Sequence, residues 1–456
     1  KGKTEKAMAD VNIKKKFLSN TGWQMAQQIY SMILSLIIGA VSARYLGPSN
    51  YGLLNYGATL IMITGSITSL GLDEIIMNAL VVHKDKRGVY IGTALILRLF
   101  ASVIGVFVIA GVIVVLEPQN KVLWVITILQ SMQLFGTLYM VFNYWFQVEL
   151  KSKFVSIAYI IGLTISGAWR VLLLVMNASV NFFAFTASLQ GFIVLIIVAL
   201  CYFKVSDEKL KWNADVAKNL LRQGYHYILS GIAVMIYMQM DKVMVGKILG
   251  EEQLGFYSAA SHIANLWLFV PKAIISSARP IVLDGKNIEK ETSTQGIYMS
   301  RLVRLVFAMI VLGILVGICF TSFGWLVVKV LYGNAFMAAV PVLIVLIWAT
   351  TLSQLGTING IWIASEGYNR LLKYTVWAGA IANLLFNFLL IPLLGIVGVA
   401  IGTLLAQVVV QFIAPAFSND LRQYFSVYSC AICEFKNIKK YANSSLILLK
   451  GGRKKK

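Results

Sequence analysis

Between residues 23 and 417 the chain is a succession of mostly apolar runs of about 20 residues or more, separated by short polar gaps. A helix rising about 1.5 Å per residue needs a run of that length to cross a hydrocarbon core of about 30 Å. The runs are apolar on all sides and show no alternation of period two, which argues against strands. Backbone groups in lipid must be satisfied within their own segment, which leaves helices. About twelve such runs can be read, the first over 20–45 and the last over 396–417.

The gaps alternate in charge. Cations gather before the first run (Lys14, Lys15, Lys16) and after the second (Lys84, Lys86, Arg87), fourth (Lys151, Lys153) and sixth (Lys204, Lys209, Lys211, Lys218). They gather again after the eighth (Lys286, Lys290, Arg301, Arg304), the tenth (Arg370, Lys373) and the last (Arg422, Lys436, Lys439, Lys440). The gaps between these hold little: Arg44, Lys121, Lys247 or Lys329. Cytoplasmic loops carry the excess of Lys and Arg. The pattern predicts an even number of spans in a multi-pass protein with both termini cytoplasmic.

A short motif occurs twice. Ala43-Arg44-Tyr45-Leu46-Gly47-Pro48-Ser49-Asn50-Tyr51-Gly52-Leu53 aligns without gaps with Gly246-Lys247-Ile248-Leu249-Gly250-Glu251-Glu252-Gln253-Leu254-Gly255-Phe256. Each copy closes one span and opens the next on the outer side, and Gly47, Gly52, Gly250 and Gly255 read as hinge turns. The expected fold is an all-α membrane protein of about 12 transmembrane helices in two six-helix lobes, related by a pseudo-two-fold along the membrane normal. The expected divisions are an N-terminal lobe at 17–203, a cytoplasmic inter-lobe linker at 204–219, a C-terminal lobe at 220–418 and a basic cytoplasmic tail at 419–456. The tail is read as lying along the membrane interface or as unstructured.

Composition agrees with a bilayer. Hydrophobic residues make up 58% and charged residues 13%, against about 25% charged in soluble proteins. The net charge of +21 would raise nucleic acid as a partner, but the cations sit in the gaps and ends where membrane topology accounts for them. Cys201 and Cys319 fall in apolar runs, and Cys430 and Cys433 form a CxxC with no histidine near it in sequence, short of the four ligands of a zinc site. No nucleotide-binding GxxxxGK[ST], HExxH or GxSxG is present, so neither a metal site nor an enzyme is expected. Pro271, Pro341 and Pro392 are expected to break or kink their helices.

Charge inside a span is costly and commonly faces a bundle interior or a wet cavity. Arg98, Lys272, Arg170 and Lys242 are the candidate cations of a substrate-binding cavity, since Arg and Lys suit phosphates. Asp241, Asp73 and Glu74 are the candidates for coupling an H+ or Na+ gradient. The competing reading is snorkelling to an interface, or an internal pair such as Arg170 with Asp241.

The stretch 43–52 resembles the Wzx-type polysaccharide biosynthesis flippases of the multidrug/oligosaccharidyl-lipid/polysaccharide exporter superfamily. Gly71-Leu72-Asp73-Glu74, the run from Asp241 to Gly250, Leu331-Tyr332-Gly333-Asn334-Ala335-Phe336 and the run from Asn383 to Ala400 extend the resemblance over nearly the whole chain. It implies a two-lobed transporter in the bacterial cytoplasmic membrane. Such a protein moves undecaprenyl-pyrophosphate-linked oligosaccharide repeat units for capsule, O-antigen or exopolysaccharide synthesis. Its partners would be membrane lipids, a polysaccharide polymerase and glycosyltransferases, and not nucleic acid. Two other readings stay open: a multidrug/ion antiporter of the same superfamily, and a non-transporting membrane scaffold of a polysaccharide synthase.

Overall fold

The structure, a computed structural model, describes residues 2–292 and 296–433. Side chains of residues 2–18, and so Lys14 to Lys16, lie outside the described set, as does everything after Cys433. Every element among the described residues is helical. Among these residues, ten helical stretches are long and apolar enough to cross a membrane, and large apolar side chains point outward from them, with Phe107 73%, Phe388 71% and Leu393 76% exposed. In water such a surface would aggregate; in a bilayer it faces acyl chains.

The first helix, α1, runs Gly2–Thr68 but is broken at Gly47 (φ 71°, ψ 172°), with Pro48 immediately after. Only glycine takes these torsions at little cost. After it come α2 (Leu72–Val82) and α3 (Arg87–Leu116). One expected span then appears as three helices, α4 (Lys121–Ser131), α5 (Gln133–Gly136) and α6 (Tyr139–Val148). Next are α7 (Lys153–Val175), α8 (Val180–Val205) and α9 (Ala214–Leu249). The eighth expected span is split into α10 (Glu251–Trp267) and α11 (Phe269–Thr292). Pro271 explains the split, because it lacks the N–H that would bond the Trp267 carbonyl. The series ends with α12 (Ile297–Tyr332), α13 (Ala339–Ser365) and α14 (Asn369–Val408). Helix α14 is broken at Gly395 (φ 57°, ψ −137°), three residues after Pro392. The two glycine breaks each divide one long helix into two apolar segments, so ten long helices and about twelve expected spans describe the same residues. Pro341 departs from expectation. It lies in the first turn of α13, where a missing N–H breaks no helical hydrogen bond, so it kinks nothing.

The chain forms two compact units. One comprises residues up to Ser258 with Leu331–Ala335; the other comprises Ala259–Val330 and the chain from Phe336 onward. This boundary, inside α10, differs from the lobe boundary expected at 204–219. The sequence repeat marks copied segments, whereas the compact unit follows packing, and α9 packs along α1. The expected linker is itself docked in the first unit. Backbone Gly88 N donates to Glu208 Oε2 at 3.2 Å, Lys211 N to Gly88 O at 3.3 Å and Asn213 N to Thr93 Oγ1 at 3.1 Å. Gly88 and Gly92, one turn apart on α3, make the groove in which the backbone of Lys209 and Lys211 lies.

The first unit holds an aromatic core between α2, α3, α6 and α8, in which Trp145 and Tyr202 pack edge to face at 5.2 Å. The second unit has its core between α11, α12 and α13. A short helix, Phe425–Cys433, belongs to that core: Val427, Tyr428 and Ala431 are buried, and Tyr424 lies 5.2 Å from Trp362. The first part of the expected tail is therefore packed protein, because its apolar residues recur at helical spacing (Leu421, Tyr424, Val427, Tyr428, Ala431). The remainder, from 434, lies outside the described residues.

Candidate functional site

In the first unit α1 and α7 run side by side in the same direction. Gln24 Nε2 donates to Ser152 Oγ at 2.9 Å, the Tyr30 and Thr164 hydroxyls are 2.7 Å apart, and Tyr45 donates to the Ala178 carbonyl at 3.2 Å. Neutral polar side chains hold this seam, as expected between helices in lipid. Two cavities open along it. The inner one, about 250 Å³, is walled by side chains of α1, α6 and α7, among them Gln24, Gln27, Gln28, Asn143, Gln147 and Ser156. The outer one, about 60 Å³, is lined by Ser35, Ser166, Gln190 and Arg170 over an apolar floor. Between Gln28 and Leu34 the rise along α1 is only about 9 Å, so the two cavities are close neighbours. Neither contains a carboxylate.

Ser156 is 1% exposed and its Oγ has no hydrogen-bond partner among the described residues. A buried hydroxyl left so costs about 1–3 kcal/mol. Beside the inner cavity, Lys151 and Lys153 flank Ser152, each with its ammonium 5.2 Å from a tryptophan ring, Trp145 and Trp23 respectively.

The seven charged candidates do not gather at one site, although Arg98 and Asp73 meet each other. Arg98 is buried, 3% exposed, and its guanidinium pairs with Asp73. Tyr144 donates to the same Asp73 oxygen at 2.6 Å, and the Arg98 guanidinium stands 5.9 Å from the Tyr144 ring centre. Glu74, the next residue, is exposed. Asp241 is buried on α9 and accepts from the Tyr257 hydroxyl at 2.9 Å. Lys242, its neighbour, is half-buried. Arg170 forms no ion pair among the described residues, so the pair with Asp241 is not made. Of the seven, Arg170 is the one lining either cavity. Lys272 lies in the second unit, exposed on α11.

Two of the four motif glycines, Gly52 and Gly255, lie against the backbone of the other copy. A β-carbon at Gly52 would collide with the Glu251 carbonyl, and one at Gly255 with the Pro48 carbonyl. Pro48 and Glu251 are the same position in the two copies of the motif, as are Gly52 and Gly255. The contact is therefore reciprocal, as across a two-fold axis. The cations of the motif behave alike. Lys247 bonds the Leu116 carbonyl and lies 3.1 Å from Glu117, in the loop after α3. Arg44 packs beside Gly333, in the loop after α12, where a β-carbon would stand 3.8 Å from its Cγ and Nε.

The inner cavity's amides were not among the charged candidates, although a signal for them exists. Gln24, Gln27 and Gln28 fall at i, i+3 and i+4 on one face of the first span, and Asn143 and Gln147 at i and i+4. Tyr144, which holds Asp73, has no such signal.

The model of the family described as polysaccharide biosynthesis protein matches residues 17–285. No curated protein matches the chain. Among solved structures, the inward closed conformation of the lipid II flippase MurJ superposes with a TM-score of 0.64 at 11% identity, covering 93% of this chain and 99% of that one. The inward-facing conformation of a multidrug resistance MATE family transporter of the MOP superfamily gives 0.63 at 14% identity, over 86% and 96%. The MATE multidrug transporter DinF-BH gives 0.58 at 17% identity, over 88% and 94%. At these identities the likeness is one of fold.

Proposed function

The chain belongs to the polysaccharide biosynthesis protein family, and from that premise we propose that it is a flippase for undecaprenyl-pyrophosphate-linked oligosaccharide repeat units in the bacterial cytoplasmic membrane. It works by alternating access without ATP hydrolysis and supplies surface polysaccharide synthesis, with the polymerase and glycosyltransferases as its partners. The observation that carries the reading is the seam from Gln24 to Arg170: lined by neutral amides and hydroxyls among apolar side chains, free of carboxylates, and ending in an arginine that makes no ion pair among the described residues. Such a wall suits hydroxyls and a phosphorylated group. A cationic drug would need carboxylates there, which speaks against the antiporter alternative.

The polyprenyl tail stays in lipid while the head group passes the seam. Both termini face the cytoplasm, so the inner cavity opens on the side where the substrate is made. The reciprocal glycine contact lies on the outer side and must part for release. If a cation gradient drives the cycle, Asp241, buried on α9, is the candidate carrier for H+ or Na+.

The test is transport by the purified full chain in liposomes, using fluorescent undecaprenyl-pyrophosphate-linked oligosaccharide and a membrane-impermeant quencher. The protein alone moves the probe between leaflets, and Arg170→Ala slows it by roughly tenfold or more, as expected on losing one charge-assisted hydrogen bond. No movement by the protein alone would favour the scaffold reading and overturn this one.

A further inference from the structure

We infer that the inner cavity of the first unit is a subsite for an uncharged sugar ring of the translocated molecule; this rests on the flippase reading and assigns one part of the site. Its lining holds no Lys, Arg, Asp or Glu. A phosphate would meet no cation in the wall itself, the Lys151 and Lys153 ammonium groups beside it lying over tryptophan rings, and a cation would lack an anion. What the lining offers is amides: Gln27, Gln28, Asn143 and Gln147, with Gln24 keeping its oxygen free of the Ser152 contact. Each carboxamide presents two donors and an acceptor oxygen, which matches hydroxyl groups that both donate and accept. Tyr139 and Tyr159 add rings with a polar tip, able to cover the C–H face of a pyranose while bonding its edge.

The buried Ser156 hydroxyl is an independent sign. It lines the cavity, is 1% exposed, and is unpartnered among the described residues. Buried polar groups in native proteins find partners, and an occupant with hydroxyls supplies one. At about 250 Å³ the space lies just below the range of small-molecule sites, roughly 300–1,000 Å³. That suits one ring and not a chain of several. The cation of the outer cavity, Arg170, is one helical stretch away along the seam, so sugar and phosphate recognition fall on separate stations of one wall.

The experiment measures binding to the purified full chain of three probes: polyprenyl pyrophosphate carrying a single glucose, bare polyprenyl pyrophosphate, and free glucose. The ratio of the two lipid affinities is the readout, because a general loss of folded protein cancels in it. The parent chain should bind the glucosylated lipid about tenfold or more tightly than the bare lipid. Asn143→Leu combined with Gln147→Leu should bring the ratio close to one, and Ser156→Ala should lower it severalfold. An unchanged ratio in both variants overturns the subsite while leaving the flippase reading intact. Failure of the parent chain to bind either lipid overturns both. Free glucose binding as tightly as the lipid-linked form would overturn the lipid-linked occupant.

Discussion

The Asp73 carboxylate serves two neighbours at once: it pairs with the buried Arg98 guanidinium and accepts from Tyr144. Removing it leaves the buried Arg98 guanidinium without a counter-charge among the described residues, held by the Ser69 carbonyl at 3.3 Å and the Tyr144 ring. The Asp73 side chain is 52% exposed, so solvent screens part of the interaction, and Asp73→Ala should cost roughly 1–3 kcal/mol. Thermal unfolding in detergent measures this. The double variant with Arg98→Met should lose less than the sum of the two single changes; strict additivity would mean that the pair is not energetically coupled. The same comparison shows what was legible in the sequence. A charge in an apolar run stands out, as Arg98, Asp73, Arg170 and Asp241 do. Whether a charge is free or neutralised depends on residues far away in the chain, here 25 positions for Arg98 and Asp73. A neutral amide carries no such flag, and only the spacing of Gln24, Gln27 and Gln28 betrays a polar face.

At the level of helices, the breaks were legible where a backbone torsion demands glycine or where proline removes a donor. Gly47 and Gly395 have torsions closed to side chains, yet a β-carbon at either would meet nothing within 4 Å. The penalty there is purely conformational, so Gly47→Ala should destabilise by about 1–3 kcal/mol. Gly22, which lies within the helical stretch of α1 and has open space, is the control: Gly22→Ala should stabilise by up to about 1 kcal/mol. Gly52 and Gly255 differ, because the obstacle is another backbone. In a chain with its four cysteines replaced, a cysteine at the fully buried Leu254 should be slow to react with a soluble maleimide. Adding Gly52→Val should speed the reaction severalfold, whereas no change would mean that the contact does not hold the turns closed. The division of the fourth span into α4, α5 and α6 had no legible signal, since Gly136 is placed by its close approach to Gly191 on α8, a tertiary fact.

For the whole molecule, the alternation of cationic and nearly uncharged gaps makes a prediction independent of any site. Cysteines introduced at Lys84 and at Gln119 should label from opposite sides of the membrane, Lys84 from the cytoplasm; labelling of both from one side would refute the topology. The helical membrane architecture was legible because apolar runs of spanning length admit few other solutions. The boundary of the compact units was not, because copied segments and packed segments need not coincide. One feature joins these levels. A reciprocal contact such as Pro48 with Gly255 and Glu251 with Gly52 is what two identical half-length chains would make on meeting face to face. In such a homodimer every substitution would strike the joint twice. In a single polypeptide that coupling is absent, and the two faces differ: Pro48-Ser49-Asn50 on one side, Glu251-Glu252-Gln253 on the other. Glu251 bonds Asn120, a link that proline at the matching position has no side-chain group to copy, so a repeated motif closes in an asymmetric clasp.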